Sequence, residues 1–77
     1  SRVLKDGLVS MDMAQNILVI KTVPGMAMGV AAALDELKFK EIVGSIAGDD
    51  TIMCAVKNAD QTLLVMEKLR KVLEDLG

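Results

Sequence analysis

Residues 42–56, Ile42-Val43-Gly44-Ser45-Ile46-Ala47-Gly48-Asp49-Asp50-Thr51-Ile52-Met53-Cys54-Ala55-Val56, read as two β-strands joined by a tight turn. Aliphatic and β-branched residues fill both flanks, as a pleated, buried surface requires. Gly48-Asp49-Asp50 interrupts them with residue types that tolerate positive φ and hydrogen-bond their own backbone. The same pattern occurs once upstream. Leu8 to Met13 alternates, with Val9, Met11 and Met13 on one face and Ser10 and Asp12 on the other. That is the signature of a half-buried strand. Ala14-Gln15-Asn16 is a short polar break, and Ile17 to Thr22 is the returning strand of a first hairpin.

A helix follows each hairpin. Pro24-Gly25 ends the second strand, and a helix is predicted from about Gly25 to Leu37. Met26, Val30, Ala33, Leu34 and Leu37 fall on one face of a 3.6-residue period. Met28, Ala32 and Asp35 lie on the opposite face, and an apolar Met there marks a surface that meets a ligand or a partner. Scattered surface methionines are the ordinary alternative. Asn58 is the expected N-cap of the last helix, with Gln61 completing a capping box. Val65, Leu69, Val72, Leu73 and Leu76 repeat the core spacing, while Glu67, Lys68, Arg70, Lys71, Glu74 and Asp75 form its solvated face.

The expected fold is a two-layer α+β domain, ββαββα, spanning residues 1–77. Two helices cover one face of a four-stranded, mainly antiparallel sheet. The second and fourth strands are apolar on both faces, whereas a sheet covered on one side normally alternates. The uncovered face points to contact between subunits. Composition agrees: 52% of the 77 residues are hydrophobic and a single one, Phe39, is aromatic. That is more aliphatic surface than one small core hides.

The same inventory excludes several functions. Nine Lys and Arg against eleven Asp and Glu, a net charge of −2, are spread without a basic cluster, so direct grip on nucleic acid is not expected. There is no His and one cysteine, Cys54, which reads as a buried, reduced thiol rather than a zinc ligand. No nucleophile–base pair or dinucleotide fingerprint is present, so the chain is not expected to be an enzyme. No signal peptide and no membrane-length apolar run are seen, and a cytoplasmic protein is expected.

Asp49 and Asp50 remain. Adjacent carboxylates at a hairpin tip are either ordinary turn residues or a paired site for a cation. A planar guanidinium suits such a site because its fixed donors bond a carboxylate in parallel pairs. Mg²⁺ is the other candidate guest. The Gly-Asp-Asp hairpin also resembles the metal-binding hairpin of viral RNA polymerases, but the second metal-ligand element and phosphate-binding basic residues of that chemistry are missing.

Lys21-Thr22-Val23-Pro24-Gly25 followed by Gly44-Ser45-Ile46-Ala47-Gly48-Asp49-Asp50-Thr51-Ile52 resembles the C-terminal domain of bacterial arginine repressors over essentially the whole chain. The resemblance implies trimers that stack in pairs into a hexamer, with the effector L-arginine bound between them and no cofactor. It also implies that operator DNA is gripped by a separate N-terminal winged helix-turn-helix domain, absent from this chain. Asp49 and Asp50 match the arginine-binding carboxylates, and Asp35 matches an aspartate near the polar end of the ligand. Ser45 and Ala47 match positions whose backbone faces the site. Met28 falls where the family has a glutamine that bonds the ligand. A thioether does not replace an amide, at a cost on the order of 1 kcal/mol per lost hydrogen bond. The alternative expectation is therefore a constitutive oligomerisation domain of a paralogue with weakened or lost arginine response.

Overall fold

The computed structural model describes residues 2–76. Its elements are α1 (Arg2–Gly7), β1 (Leu8–Ala14), β2 (Ile17–Thr22), α2 (Ala27–Glu36), β3 (Ile42–Ala47), β4 (Thr51–Val56) and α3 (Ala59–Asp75). All strand pairings are antiparallel and the sheet order is β1-β2-β4-β3. The α+β reading holds, with an added N-terminal helix. Six residues are too few to form a helix alone, and the segment carries no helical period, so its signal is tertiary. Leu4 is fully buried in the core, and the Gly7 carbonyl accepts from the Val23 amide at 2.8 Å. A Cβ on Gly7 would stand 2.6 Å from Val30 Cγ2, so this helix–helix approach requires glycine.

The core lies between the sheet and the helices. Leu18, Ile20, Ile52 and Cys54 from the central strands meet Val30 and Leu34 of α2 and Val65 and Leu69 of α3. Burying each such aliphatic side chain contributes about 1.5–3 kcal/mol before entropy is counted. Helix α2 begins at Ala27, two residues later than the sequence suggests. Gly25 sits at φ +81°, outside the helical region, and turns the chain before the helix can start. The α3 cap is made as expected on one side, with Asn58 Oδ1 accepting from the Gln61 amide at 2.8 Å. The reciprocal half of the capping box is absent, because Gln61 Oε1 is buried without a partner among the described residues.

Two further expectations change. Val9 does not share a face with Met11 and Met13: a bulge between Leu8 and Ser10 puts it out of phase, and it is 64% exposed. Leu8, Met11 and Met13 pack against the core instead. Lys68 is not simply part of a solvated face. Its Nζ lies 2.6 Å from Glu41 Oε2, a carboxylate that is only 4% exposed, and 5.7 Å from the Phe39 ring centroid.

The halves are related internally. β3 carries a bulge between Ile42 and Gly44 that matches the one in β1, and Val43 is exposed as Val9 is. The Thr22 amide donates to the Asp50 carbonyl at 2.8 Å, and its counterpart, the Val56 amide, donates to the Asn16 carbonyl at 2.9 Å. Each hairpin turn thus closes the end of the other hairpin's inner strand.

The outward face of the sheet is left open by the helices. Ile17, Val19, Met53, Ala55 and Ile46 lie on it, with Ile46 79% exposed. Much of this surface forms a shallow apolar depression of about 580 Å³ running from Ile17 to Ile46.

Candidate functional site

The turn at residues 48–50 is held onto the start of α2. Met26, the N-cap, makes no side-chain cap. Asp49 substitutes from across the fold: its carbonyl accepts from the Gly25 amide at 3.1 Å and the Ala27 amide at 3.2 Å. Its Oδ2 also accepts from the Gly25 amide, at 3.2 Å. The first amides of a helix lack intrahelical partners and carry partial positive charge, so a carboxylate belongs there.

Asp50 is held differently. Its Oδ1 accepts from the Thr51 hydroxyl at 2.9 Å, and Thr51 Oγ1 accepts from Lys21 Nζ at 2.8 Å. Lys21 and Thr51 are paired directly across β2 and β4. Asp49 Oδ1 and Asp50 Oδ2 have no hydrogen-bond partner among the described residues, and both side chains are exposed. One oxygen of each carboxylate is therefore spent internally and one is not.

The matching turn of the other hairpin carries no charge and has a different backbone, with Gln15 at φ +56°. Gln15 and Asn16 make the equivalent connection with neutral side chains, and the Asn16 amide group adds a bond to the Val56 carbonyl at 3.2 Å. Asp50 thus takes the place of Asn16 in the cross-hairpin bonding, in a turn of different conformation.

The remaining site residues extend from this turn along α2 and β3. Met28 stands near the start of α2 and is 73% exposed. Asp35 lies two turns on, about 10 Å along the axis, and is exposed on the same face as Met28 and Ala32. Asp35 borders a cavity of about 240 Å³ with Phe39, Ile42 and Gly44. Ser45 and Ala47 pair with Cys54 and Ile52, so their side chains turn toward the helix layer and are half-buried. β3 is an edge strand, and the main-chain groups on its outer side have no ladder partner. Asp35 and the Asp49–Asp50 turn stand toward opposite ends of β3 and make no hydrogen bond to each other.

Cys54 is buried and free. Burial pushes its thiol up to about 11, with the Asp35 charge adding to the effect. The hydrogen bond from Lys68 holds the Glu41 carboxyl below its ordinary value despite burial. Among the described residues, no three His, Cys, Asp or Glu side chains gather to hold a metal ion, and no helix is long and apolar enough to cross a membrane.

Sequence reasoning gave no role to Lys21 and Thr51. Their juxtaposition depends on β2 pairing with β4, strands from different hairpins whose register no local pattern reveals.

Residues 4–71 match the family described as arginine repressor, C-terminal domain. The chain is 70% identical over 73 residues to the arginine repressor of Lachnospira eligens, covering 95% of this chain and 48% of that protein. It is 65% identical to the arginine repressor of Lachnoclostridium phytofermentans, covering 94% of this chain and 47% of that protein. The arginine repressor of Thermotoga petrophila is 46% identical, over 94% of this chain and 47% of its own length. The chain thus spans about half the length of the curated relatives it matches, and those relatives are named as regulators rather than enzymes. With its antiparallel sheet, helix layer and Asp49–Asp50 turn, this chain belongs to the arginine repressor C-terminal domain family.

Proposed function

We propose that this domain senses L-arginine and couples its binding to assembly of two trimers into a hexamer within a cytoplasmic regulator of arginine metabolism. The observation that carries the reading is the turn itself: two carboxylates, each fixed by one oxygen, each with the other oxygen unpartnered among the described residues. A guanidinium is matched to such a pair because its donors diverge in a plane and its charge is permanent. Asp35, toward the other end of β3 from the turn, would serve the polar end of a ligand shared with a subunit of the opposite trimer. Ser45 and Ala47 supply main-chain groups from the edge strand, and Met28 forms an apolar flank.

The open sheet face supports assembly through its exposed aliphatic patch, of which Ile46 and Met53 are the most prominent members. A cation bound between trimers neutralises carboxylates that would otherwise repel across the contact. Ligand confined to the assembled form then favours assembly by mass action. Operator DNA is reached through a separate domain, consistent with the absence of a basic cluster in this chain.

Sedimentation velocity on dilute protein, with and without millimolar L-arginine, tests this. A shift from trimer toward hexamer is expected, and Asp50→Ala is expected to abolish it. An Asp50→Ala variant that still assembles normally with arginine would count against the site. The exposure of Met28 favours one second reading, a constitutive assembly module with a weakened ligand response. Assembly indifferent to arginine in the wild-type protein would select it.

A further inference from the structure

The chain Lys21–Thr51–Asp50 is not explained by the fold. Lys21 and Asp50 are exposed, so hydrogen bonds among them contribute little to stability. The chain nevertheless has a defined direction. An ammonium only donates, so the Lys21 Nζ contact at 2.8 Å makes Thr51 Oγ1 an acceptor. The single hydroxyl proton is then directed to Asp50 Oδ1, 2.9 Å away. Thr51 is β-branched, in a strand and half-buried, which restricts its χ1. Lys21 is its direct cross-strand partner.

We propose that Thr51, with its proton directed by Lys21, is a positioning residue for Asp50, fixing which carboxylate oxygen is presented to a cationic ligand. The inference rests on the reading of this turn as the arginine site. With Oδ1 engaged by Thr51, Oδ2 is the oxygen left to meet a guanidinium N–H. Asp49 has the reverse arrangement, Oδ2 engaged by the Gly25 amide and Oδ1 left. The turn therefore presents two separate single acceptors, not one bidentate carboxylate. That pattern suits a guanidinium bridging two groups. A planar fork of donors can address two acceptors at once, whereas the point charge of a lysine side chain has no such match.

The test uses the 77-residue chain and three proteins: wild type, Thr51→Val, which keeps shape and charge but loses the hydroxyl, and Thr51→Ser, which restores it. Two readouts are needed. The first is L-arginine affinity by titration calorimetry, with L-lysine as the competing ligand. The second is the Asp50 χ1 distribution without ligand, from three-bond couplings to its carboxyl carbon. Thr51→Val is expected to weaken arginine binding about five- to tenfold, to narrow the preference for arginine over lysine, and to average the Asp50 rotamer. Thr51→Ser is expected to return all three to within about twofold of wild type, and thermal midpoints should coincide. If wild type binds arginine and Thr51→Val binds it equally well, the positioning role is overturned while the sensor reading stands. If wild type takes up no arginine, the sensor reading falls and the inference with it. Averaging of Asp50 in wild type as well as in Thr51→Val would also overturn the inference, whatever the affinities.

Discussion

Gly25 and Asp49 are joined twice through one amide: the Gly25 N–H donates to the Asp49 carbonyl at 3.1 Å and to its Oδ2 at 3.2 Å. The bond is three-centred, and its side-chain half places a negative charge at the positive end of α2. Asp49→Ala removes that half and is expected to destabilise the domain by about 1 kcal/mol. Asp49→Asn keeps an acceptor and should recover part of the loss. Urea unfolding of the three proteins at low and high salt checks this, because the charge-dependent share should shrink as salt rises.

Gly7 leaves no room for a side chain beside Val30. Gly7→Ala would press a methyl into Val30 Cγ2 at 2.6 Å and is expected to cost about 1–3 kcal/mol. Combining it with Val30→Ala should make the two changes cost less than their sum, since the second removes the obstacle to the first. A double-mutant cycle in denaturant measures the coupling directly. Strict additivity would mean that α1 simply shifts.

Lys68 neutralises the buried carboxylate of Glu41, whose other oxygen has no hydrogen-bond partner among the described residues. Lys68→Met should therefore lower the thermal midpoint at neutral pH. The lowered Glu41 value sets the sign of the pH dependence. The pair's contribution is fully present above the ordinary carboxylate value of 4.5 and is lost as pH falls through the lower folded value. The gap between wild type and Lys68→Met should close over that acidic range. Glu41→Gln with Lys68→Met should be more stable at neutral pH than Lys68→Met alone, since no buried charge is left unpaired.

Cys54 is fully buried and its thiol is pushed up to about 11. The thiolate is the reactive form, so alkylation of the native protein at neutral pH should be far slower than in urea. Because the raised value favours the neutral thiol in the folded state, this contribution is lost as pH climbs from the ordinary 9.0 through about 11. Mass spectrometry after timed exposure to iodoacetamide reads the first effect. Rapid labelling of native protein would show that β4 opens readily.

Ile46 and Met53 oppose each other on the uncovered sheet face, 79% and 50% exposed. Ile46→Asp should leave the circular dichroism of the chain unchanged and shift its sedimentation to smaller species. A variant of undiminished size would place the subunit contact elsewhere, with the edges of β1 and β3 as the next surfaces to test.

Much of this was legible beforehand, for reasons that differ by element. The four strands and two long helices show in hydrophobic period alone, and Asn58 announces α3 because a cap acts within three residues. The Asp49–Asp50 turn stands out because adjacent carboxylates repel, although its family assignment needed the flanking motifs. What was hidden is what depends on distant partners. Helix α1 exists because Leu4 and Gly7 find the core, and Val9 leaves the alternating pattern because of a bulge. Lys68 reads as one of seven charged residues on α3, yet a buried glutamate from the loop before β3 selects it. The roles of Lys21 and Thr51 follow from the β2–β4 register, which joins two hairpins far apart in the chain.

The paired bulges have a consequence for inherited variation in chain length. Val9 and Val43 are the extra residues where β1 and β3 pass their inner neighbours, so neither has its own opposite number in the ladder. Deleting either would restore simple alternation in an edge strand without moving β2 or β4 by a residue. A deletion within either central strand would instead invert every side chain beyond it between core and open face. Single-residue gaps among related chains are thus expected at these two valines and not within β2 or β4, making the edges the places where the domain can change length while keeping its frame.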